Sequence, residues 1–239
     1  MHFRYLEHQN ALTRTPKQGI VAGRYWQQVR ALQGRRNPFI AGEGVPFLLA
    51  AAVAFVVALR FLDVSFAVAA GLLFFVLVLI FRDPRRDIPA SPLGVVSPVD
   101  GHIISVDLVD KGVLHGEAHR VQIRIDSFGT YTARAPIEGK IKNLASVNGG
   151  QVSDYSTNAL WIQTDEGDDV VLQFHGYRFG LAPRSFARYG ERVGQGQRCA
   201  YLRLTRVAEL HLPIGSNILV KSGQVVVAGT DLIGKVPHP

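Results

Sequence analysis

Few residues in this sequence combine the types and the spacing that metal binding or catalysis requires. His115 and His119 lie close together, with Glu117 between them. A zincin-type site needs glutamate directly after the first histidine, on a helix. Gly116 and the strand-like residues that follow predict a loop instead, so we predict no metal site. His175 ends an apolar strand-like run, which favours a packed histidine over a ligand or a base.

An aspartate and a serine are the other candidates for chemistry. Asp100 lies in a turn rich in proline and glycine, where aspartate is also an ordinary turn residue. Ser216 follows Gly215 and precedes Asn217, and serine and asparagine are both common in loops. The residue types alone therefore leave a functional and a structural role open for Asp100 and for Ser216.

The elements that must position these side chains are short β-strands. Runs rich in β-branched residues alternate with Gly, Asp and Asn, as in residues 95–96, 103–106, 121–125 and 170–174. This pattern predicts a mainly β domain over residues 94–239. Its single cysteine, Cys199, lies in an apolar run, which fits a reducing compartment and an inert core position.

The β region contains an internal repeat of the form G-x-x-V-x-x-G. The two copies are residues 190–196 and 223–229, and they start 33 residues apart. Glycine at such turns supplies positive φ angles, which other residues adopt at a cost. The pattern is similar to the turns of lipoyl- and biotin-carrier-like barrel-sandwich folds. Those proteins carry a modified lysine at a hairpin tip, and this chain has no lysine in such a motif, so we expect a structural similarity only.

Residues 45–81 are the most hydrophobic part of the chain. They number 37 and include only two charged residues, Arg60 and Asp63. A helix needs about 20 apolar residues to cross the hydrocarbon, so one straight helix would be too long. Two helices joined near residues 60–63 fit, because Arg60 can reach the interface and Asp63 can occupy the turn. We predict a membrane hairpin, either spanning or re-entrant; the alternative is the buried hairpin of a soluble protein.

The basic excess of the chain lies beside this hairpin. The net charge is +7, and residues 1–87 hold 11 Lys and Arg against 5 Asp and Glu, whereas residues 88–239 hold 15 against 14. This distribution is typical of an anchor beside anionic lipid and argues against a nucleic-acid partner. Basic residues on both sides of the hairpin predict that both of its ends face the cytoplasm at the inner membrane.

These observations divide the chain into four parts. Residues 1–44 form a basic segment that is too long and too polar for a signal peptide and that includes a candidate amphipathic surface helix at residues 25–32. The hairpin follows at residues 45–81. A linker with three prolines and several charges covers residues 82–93, and the β domain covers residues 94–239.

Several short segments, in this order, resemble the phosphatidylserine decarboxylase family, in its short membrane-anchored form. The resemblance covers about residue 81 to the end. Its segments are residues 81–84 (FRDP), 97–101 (SPVDG), 134–139 (RAPIEG), 212–213 (LP), 220–223 (VKSG) and 227–229 (VAG). The resemblance implies the β domain of that family, tethered by the hairpin.

The resemblance also implies a chemistry. In this family a serine attacks the carbonyl of the glycine before it, the chain breaks, and the serine becomes a pyruvoyl group. That group condenses with the substrate amine and accepts the electrons released when CO₂ leaves. An aspartate and a histidine near the serine assist the self-cleavage. The position of the family's aspartate is occupied by Asp100.

The sequence departs from the family at the other two positions. The family's D-x-H-x-x-R-A-P segment has Gly129 and Tyr131 in place of its aspartate and histidine. A phenol titrates near 10, so Tyr131 is a poor base at neutral pH. Counting back from the LP segment, the family's Gly-Ser pair is replaced by Thr205 and Arg206, and arginine cannot become a pyruvoyl group. The pair formed by Gly215 and Ser216 comes ten residues later.

We therefore predict a degenerate family member that binds membrane phospholipid or a protein partner without a cofactor. Arg134 and Tyr131 are the predicted binding residues, in a pocket beside Asp100 that opens toward the membrane. The alternative is an active decarboxylase that makes phosphatidylethanolamine with a pyruvoyl group formed from Ser216. A third hypothesis is a membrane-anchored adaptor or homo-oligomer that keeps only the scaffold.

Overall fold

A computed structural model describes residues 39–110, 113–114, 116–142, 159–177 and 179–237. These residues belong to one compact unit. The helix predicted at residues 25–32 and the side chain of His115 lie outside the described residues. The division of the chain into four parts remains a prediction.

The hydrophobic stretch forms the predicted pair of helices. A 3₁₀ turn at Gly42–Gly44 leads into α1 (Val45–Phe61), and α2 follows at Val64–Ile80. Each helix has 17 residues and is therefore about 26 Å long. Together with the 3₁₀ turn, α1 is long and apolar enough to cross a membrane, whereas α2 is somewhat shorter. Most hydrophobic side chains of both helices are exposed, as a lipid-facing hairpin requires.

The two ends of the hairpin lie side by side. Ile40 forms an antiparallel bridge with Arg82. The amide of Ala41 donates to the carbonyl of Phe81 at 2.9 Å, and the amide of Asp83 donates to the carbonyl of Phe39 at 2.7 Å. The chain therefore enters and leaves the hairpin at one place.

Cysteines introduced at positions 40 and 90 are expected to react with a membrane-impermeant maleimide from the same side of the membrane. The bridged flanks require this result, because a single crossing would separate them. Cys199 is buried, so the unmodified protein supplies the background control. Labelling of the two positions from opposite sides would refute the hairpin.

The β domain contains fourteen described strands, joined by short turns. They are β1 (Gly94–Val96), β2 (Gly101–Val109), β3 (Ala118–Ile125), β4 (Thr132–Arg134), β5 (Gly139–Lys142), β6 (Ala159–Gln163), β7 (Asp169–His175), β8 (Arg184–Ser185), β9 (Arg192–Val193), β10 (Arg198–Tyr201), β11 (Val207–Pro213), β12 (Asn217–Ile218), β13 (Val225–Val226) and β14 (Leu232–Lys235). The predicted mainly β fold is confirmed.

The strands form one large sheet and two small ones, and all of the described pairings are antiparallel. The large sheet has the order β13-β2-β3-β11-β7-β6-β5-β9, and the small sheets have the orders β1-β14-β12 and β4-β10-β8. Because successive side chains of a strand point to opposite faces, Ala208, Leu210 and Leu212 of β11 enter the core. Glu209 and His211 lie on the other face.

The β domain contains two halves related by equivalent turns. Residues 97–101 (SPVDG) join β1 to β2, and residues 135–139 (APIEG) join β4 to β5. The amide of Val96 donates to the carbonyl of Pro136, and the amide of Arg134 donates to the carbonyl of Pro98, each at 2.8 Å. Asp100 and Glu138 therefore occupy equivalent positions, a relation that the sequence analysis missed.

Each of the two halves also contains one copy of the G-x-x-V-x-x-G repeat. Its central valines lie in β9 and β13, the two edge strands of the large sheet. The four repeat glycines, at positions 190, 196, 223 and 229, have φ angles of +80°, +68°, +85° and +72°. The predicted positive φ angles are thus confirmed.

Candidate functional site

Residues that are distant in sequence meet at the end of the large sheet where β2 begins. Gly101 lies opposite Ile125, and Arg124 lies opposite Val207, the first residue of β11. Asp100 precedes β2, and Arg206 precedes β11. This end therefore collects the positions that the resemblance associates with self-cleavage.

The carboxylate of Asp100 is held in place by three donors. Its Oδ1 accepts the amide of Ala228 at 2.7 Å, and its Oδ2 accepts the amide of Thr130 at 3.0 Å and Nη2 of Arg86 at 2.9 Å. The equivalent Glu138 instead has an exposed side chain that pairs with an exposed arginine. Asp100 thus anchors two turns and one cation at this end of the sheet.

Gly101 is required by the close approach of the neighbouring strand. A Cβ atom at this position would lie 2.0 Å from the carbonyl oxygen of Arg124. A larger residue would therefore displace β2 from β3 and, with it, the neighbouring Asp100.

Tyr131 packs against the base of the hairpin. Its hydroxyl donates to Oε2 of Glu43 at 2.9 Å, and its ring lies edge-on to Phe81 with centroids 4.8 Å apart. Nη2 of Arg203 donates to Oε1 of Glu43 at 2.5 Å. Burial, reinforced by the hydrogen bond to Glu43, raises the pKa of Tyr131 well above its ordinary value. The phenol therefore stays protonated and is an even poorer base than its residue type suggests.

Thr205 and Arg206 are the residues predicted from the sequence to replace the family's Gly-Ser pair. The hydroxyl of Thr205 donates to the carbonyl of Leu202 at 2.6 Å. The carbonyl of Arg206 accepts the amide of Ile125 at 2.8 Å, which continues the sheet. These residues do not fit a pyruvoyl group, because its formation consumes a serine hydroxyl and arginine has none.

Asp83 and Arg134 form a buried ion pair between the hairpin exit and the β domain. Nη2 of Arg134 lies 3.4 Å from Oδ1 of Asp83, and Nε of Arg198 lies 2.7 Å from Oδ2. The hydroxyl of Thr132 also donates to Oδ2 of Asp83. Burial raises the pKa of Asp83 and lowers the pKa of Arg134, since both charges have left water.

Arg134 is enclosed by its own chain. Its side chain is 1 % exposed, and its guanidinium donates to the carbonyls of Gly196 and Pro84 at 3.1 and 3.0 Å. At Gly229, where φ is positive, a Cβ atom would lie 2.8 Å from Cδ of Arg134. The geometry favours a positioning role for Arg134, and lipid binding by Arg134 and Tyr131 remains a prediction.

A pocket of about 540 Å³ opens beside Asp100. Its charged lining consists of Arg86, Asp100 and Asp126, and its apolar lining consists of Phe128 and residues 225–227. Ser127 and Gly129 also line it. The side chain of Arg86 is 24 % exposed, so one cation faces the pocket. Arg86 was not among the site residues predicted from the sequence, although it lies in the basic linker.

Ser216 lies at the opposite end of the large sheet from Asp100. Strand β11 starts at Val207, near Asp100, and ends at Pro213, three residues before Ser216. Six steps along a strand span about 20 Å. Ser216 is buried, and its Oγ has no hydrogen-bond partner among the described residues. The ring of His119 contacts the carbonyl oxygen of Ile214 nearby, at 3.0 Å.

A polar cluster lies on the face of β11 that points away from the core. Glu209 lies 2.9 Å from Nε2 of His211, 3.4 Å from Nε2 of His175 and 3.1 Å from Nε2 of Gln122. Burial alone would raise the pKa of Glu209, but the close polar contacts with these three neighbours hold that pKa well below its ordinary value. His175 therefore interacts with a carboxylate, a contact that its sequence position did not predict.

The described part of the chain offers neither a cluster of metal ligands nor a reactive thiol. Within the residues that the structure describes, three or more His, Cys, Asp or Glu side chains are nowhere arranged to hold a metal ion. Cys199 lies in the core, where burial raises its pKa to about 12. A thiol in this environment stays protonated and unreactive.

The fold and this site define a β domain that carries an exposed apolar helix pair and has a charged pocket beside Asp100. The chain matches the sequence profile of the family described as phosphatidylserine decarboxylase over residues 73–234. It is 30% identical over 211 residues to the phosphatidylserine decarboxylase proenzyme of Burkholderia cenocepacia strain HI2424, covering 84% of this chain and 97% of that protein. The corresponding proenzyme of Burkholderia ambifaria strain MC40-6 is 30% identical over 212 residues, with the same coverage. The chain belongs to the phosphatidylserine decarboxylase family.

Among solved structures, the chain is similar to the glucose permease IIA from Mycoplasma capricolum. The match covers 59% of this chain and 94% of that one, with a TM-score of 0.40 and 22% identity. This likeness is too weak to support a conclusion about function.

Proposed function

We propose that this protein is a non-catalytic member of its family that binds membrane phospholipid. The observation that carries the proposal is the set of residues at the end of the large sheet where β2 begins. Asp100 is present there, but the hydroxyl of Tyr131 donates a hydrogen bond to Glu43. The proposed cleavage position holds Thr205 and Arg206. Self-cleavage needs a hydroxyl beside the scissile carbonyl and a base that takes its proton. Arg206 carries no hydroxyl, and Tyr131 is a poor base.

Phospholipid is the proposed ligand because of the family and the position of the pocket. The named relatives are phosphatidylserine decarboxylase proenzymes, whose printed name specifies an anionic phospholipid. The pocket beside Asp100 has a volume typical of ligand sites. Arg86 is the cation best placed for a lipid phosphate, because guanidinium binds phosphate with charge-assisted hydrogen bonds. We place the β domain at the cytoplasmic face of the inner membrane, following the basic flanks of the hairpin.

Arg86→Gln is expected to lower phosphatidylserine binding by at least about tenfold, because a hydrogen bond to a charged group contributes about 1.5–3 kcal/mol. The measurement is native mass spectrometry of the detergent-solubilised full chain, titrated with short-chain phosphatidylserine. Phosphatidylserine carried over from the membrane is quantified in the same samples.

Arg120→Gln is the matched control. Nη2 of Arg120 lies 3.3 Å from Oδ2 of Asp107, so this variant breaks a comparable Arg–Asp pair at the far end of the sheet. Equal phosphatidylserine affinity of both variants and the unmodified chain would show that Arg86 does not bind the lipid. Absence of bound lipid in all three would favour a protein adaptor or a homo-oligomer that keeps only the scaffold.

The alternative function is an active decarboxylase that cleaves before Ser216. The contact between His119 and the Ile214 carbonyl favours it, since it places an imidazole close to that turn. The separation of Ser216 from Asp100 argues against it, because the retained aspartate lies at the other end of β11. Chain integrity distinguishes the two functions.

A further inference from the structure

The segment of residues 179–190 presents an unusually hydrophobic surface. Phe179, Leu181, Phe186 and Tyr189 are 88%, 44%, 41% and 73% exposed. Exposed apolar side chains grouped in this way mark interaction sites more often than isolated ones do. We call these four side chains the loop surface.

The loop surface is attached directly to the base of the hairpin. Arg203 donates to the carbonyl of Ala182 at 3.4 Å and to Glu43, two residues before α1, at 2.5 Å. Phe186 packs on Tyr201 with ring centroids 5.0 Å apart. Tyr201 in turn packs on Tyr131, at 5.9 Å. The loop surface therefore lies at the level where the chain enters the hairpin.

The charge of this segment suits an anionic surface. Residues 179–190 include Arg184 and Arg188 and no acidic residue, whereas residues 88–239 as a whole are nearly balanced. Both arginines are exposed. Aromatic side chains prefer the interface between water and hydrocarbon, and arginines beside them bind lipid phosphates.

We propose that the loop surface enters the headgroup region of an anionic bilayer, with Arg184 and Arg188 beside the lipid phosphates. This contact would hold the β domain against the membrane instead of leaving it suspended from the linker. A lipid bilayer fits better than a protein partner because the surface continues from the hairpin base. The inference rests on the membrane location given under the proposed function.

The test uses single spin labels on the full chain reconstituted in vesicles of phosphatidylcholine and phosphatidylglycerol. Labels are placed by Phe179→Cys, by Val53→Cys in α1, and by Leu108→Cys in β2. Leu108 is a matched control, because it is 57% exposed and lies roughly 20 Å along β2 from the Asp100 end. Cys199 is buried, so its labelling background is low.

Collisions with oxygen and with a water-soluble nickel chelate report the depth of each label. We expect the label at position 53 to collide mainly with oxygen and the label at position 108 to collide mainly with the nickel chelate. At position 179 we expect a ratio of oxygen to nickel collisions between these two. Replacing Arg184 and Arg188 with Gln should increase nickel access at position 179 several-fold in these anionic vesicles.

Ratios at position 179 that match position 108, with position 53 inserted, would overturn the inference and leave the proposed function intact. Protection from both reagents would also overturn it, since a protein would then cover the surface. A water-exposed position 53 would refute the membrane location as well.

Discussion

The purified full-length protein is expected to remain one chain of 26.2 kDa. Self-cleavage would require a serine hydroxyl directed at the preceding carbonyl and a base to accept its proton. The proposed counterparts of the family's cleavage position are Thr205, whose hydroxyl donates to Leu202, and Arg206. The proposed counterpart of its base is Tyr131, whose pKa is raised by burial and by Glu43. With no pyruvoyl group, CO₂ release from phosphatidylserine should be indistinguishable from a blank.

Intact mass spectrometry and a ¹⁴C-carboxyl release assay check this result together. Cleavage before Ser216 would instead release the 24 residues from position 216 to 239, with a first residue that is blocked to Edman degradation. Detecting that fragment, and losing it together with CO₂ release in Ser216→Ala, would establish the decarboxylase and refute the non-catalytic proposal. Loss in His119→Ala would then identify the imidazole near Ile214 as a participant.

Asp83→Asn is expected to destabilise the protein by about 3–5 kcal/mol, because removing one partner of a buried ion pair leaves its counter-charges uncompensated. The side chain of Asp83 is 0% exposed and faces both Arg134 and Arg198. For a chain of this size the loss corresponds to a fall in the unfolding midpoint of roughly 10 °C. Differential scanning fluorimetry in one detergent measures it.

Asp107→Asn is the control for this prediction. Asp107 pairs with Arg120 at 3.3 Å, but both side chains reach solvent, where ion pairs contribute little. The unfolding midpoint of this variant should stay at that of the unmodified protein. Equal midpoints for Asp83→Asn and Asp107→Asn would show that the Asp83 network does not fix the hairpin exit to the β domain.

Local patterns in the sequence were sufficient to predict the main elements. Two uncharged runs separated by Arg60 and Asp63 predicted the helix pair, because the thickness of the hydrocarbon limits the length of one helix. β-Branched runs between turn residues predicted the strands. The repeat glycines predicted positive φ angles, because glycine adopts them without steric cost. Each of these features depends on neighbours within a few residues of the chain.

The order and register of the strands decided the contents of the site. The Tyr131–Glu43 contact joins residues 88 positions apart, and the Arg203–Glu43 contact joins residues 160 positions apart. A sequence pattern does not specify such pairs, because they arise only when the paired strands β4 and β10 and the hairpin base meet.

The same nonlocal geometry places Asp100 and Ser216 far apart, although the alternative hypothesis of an active decarboxylase uses both. Gly215 and Ser216 follow β11, whereas Asp100 precedes β2, and antiparallel pairing through β3 puts them at opposite ends of the sheet. It also enclosed Arg134, a basic residue of a family-like segment, and exposed Arg86, a basic residue of the linker, to the pocket. Residue type and spacing thus determined the elements and the candidate positions. Burial and strand pairing decided which of those side chains can reach a ligand, since both depend on the packing of the whole domain.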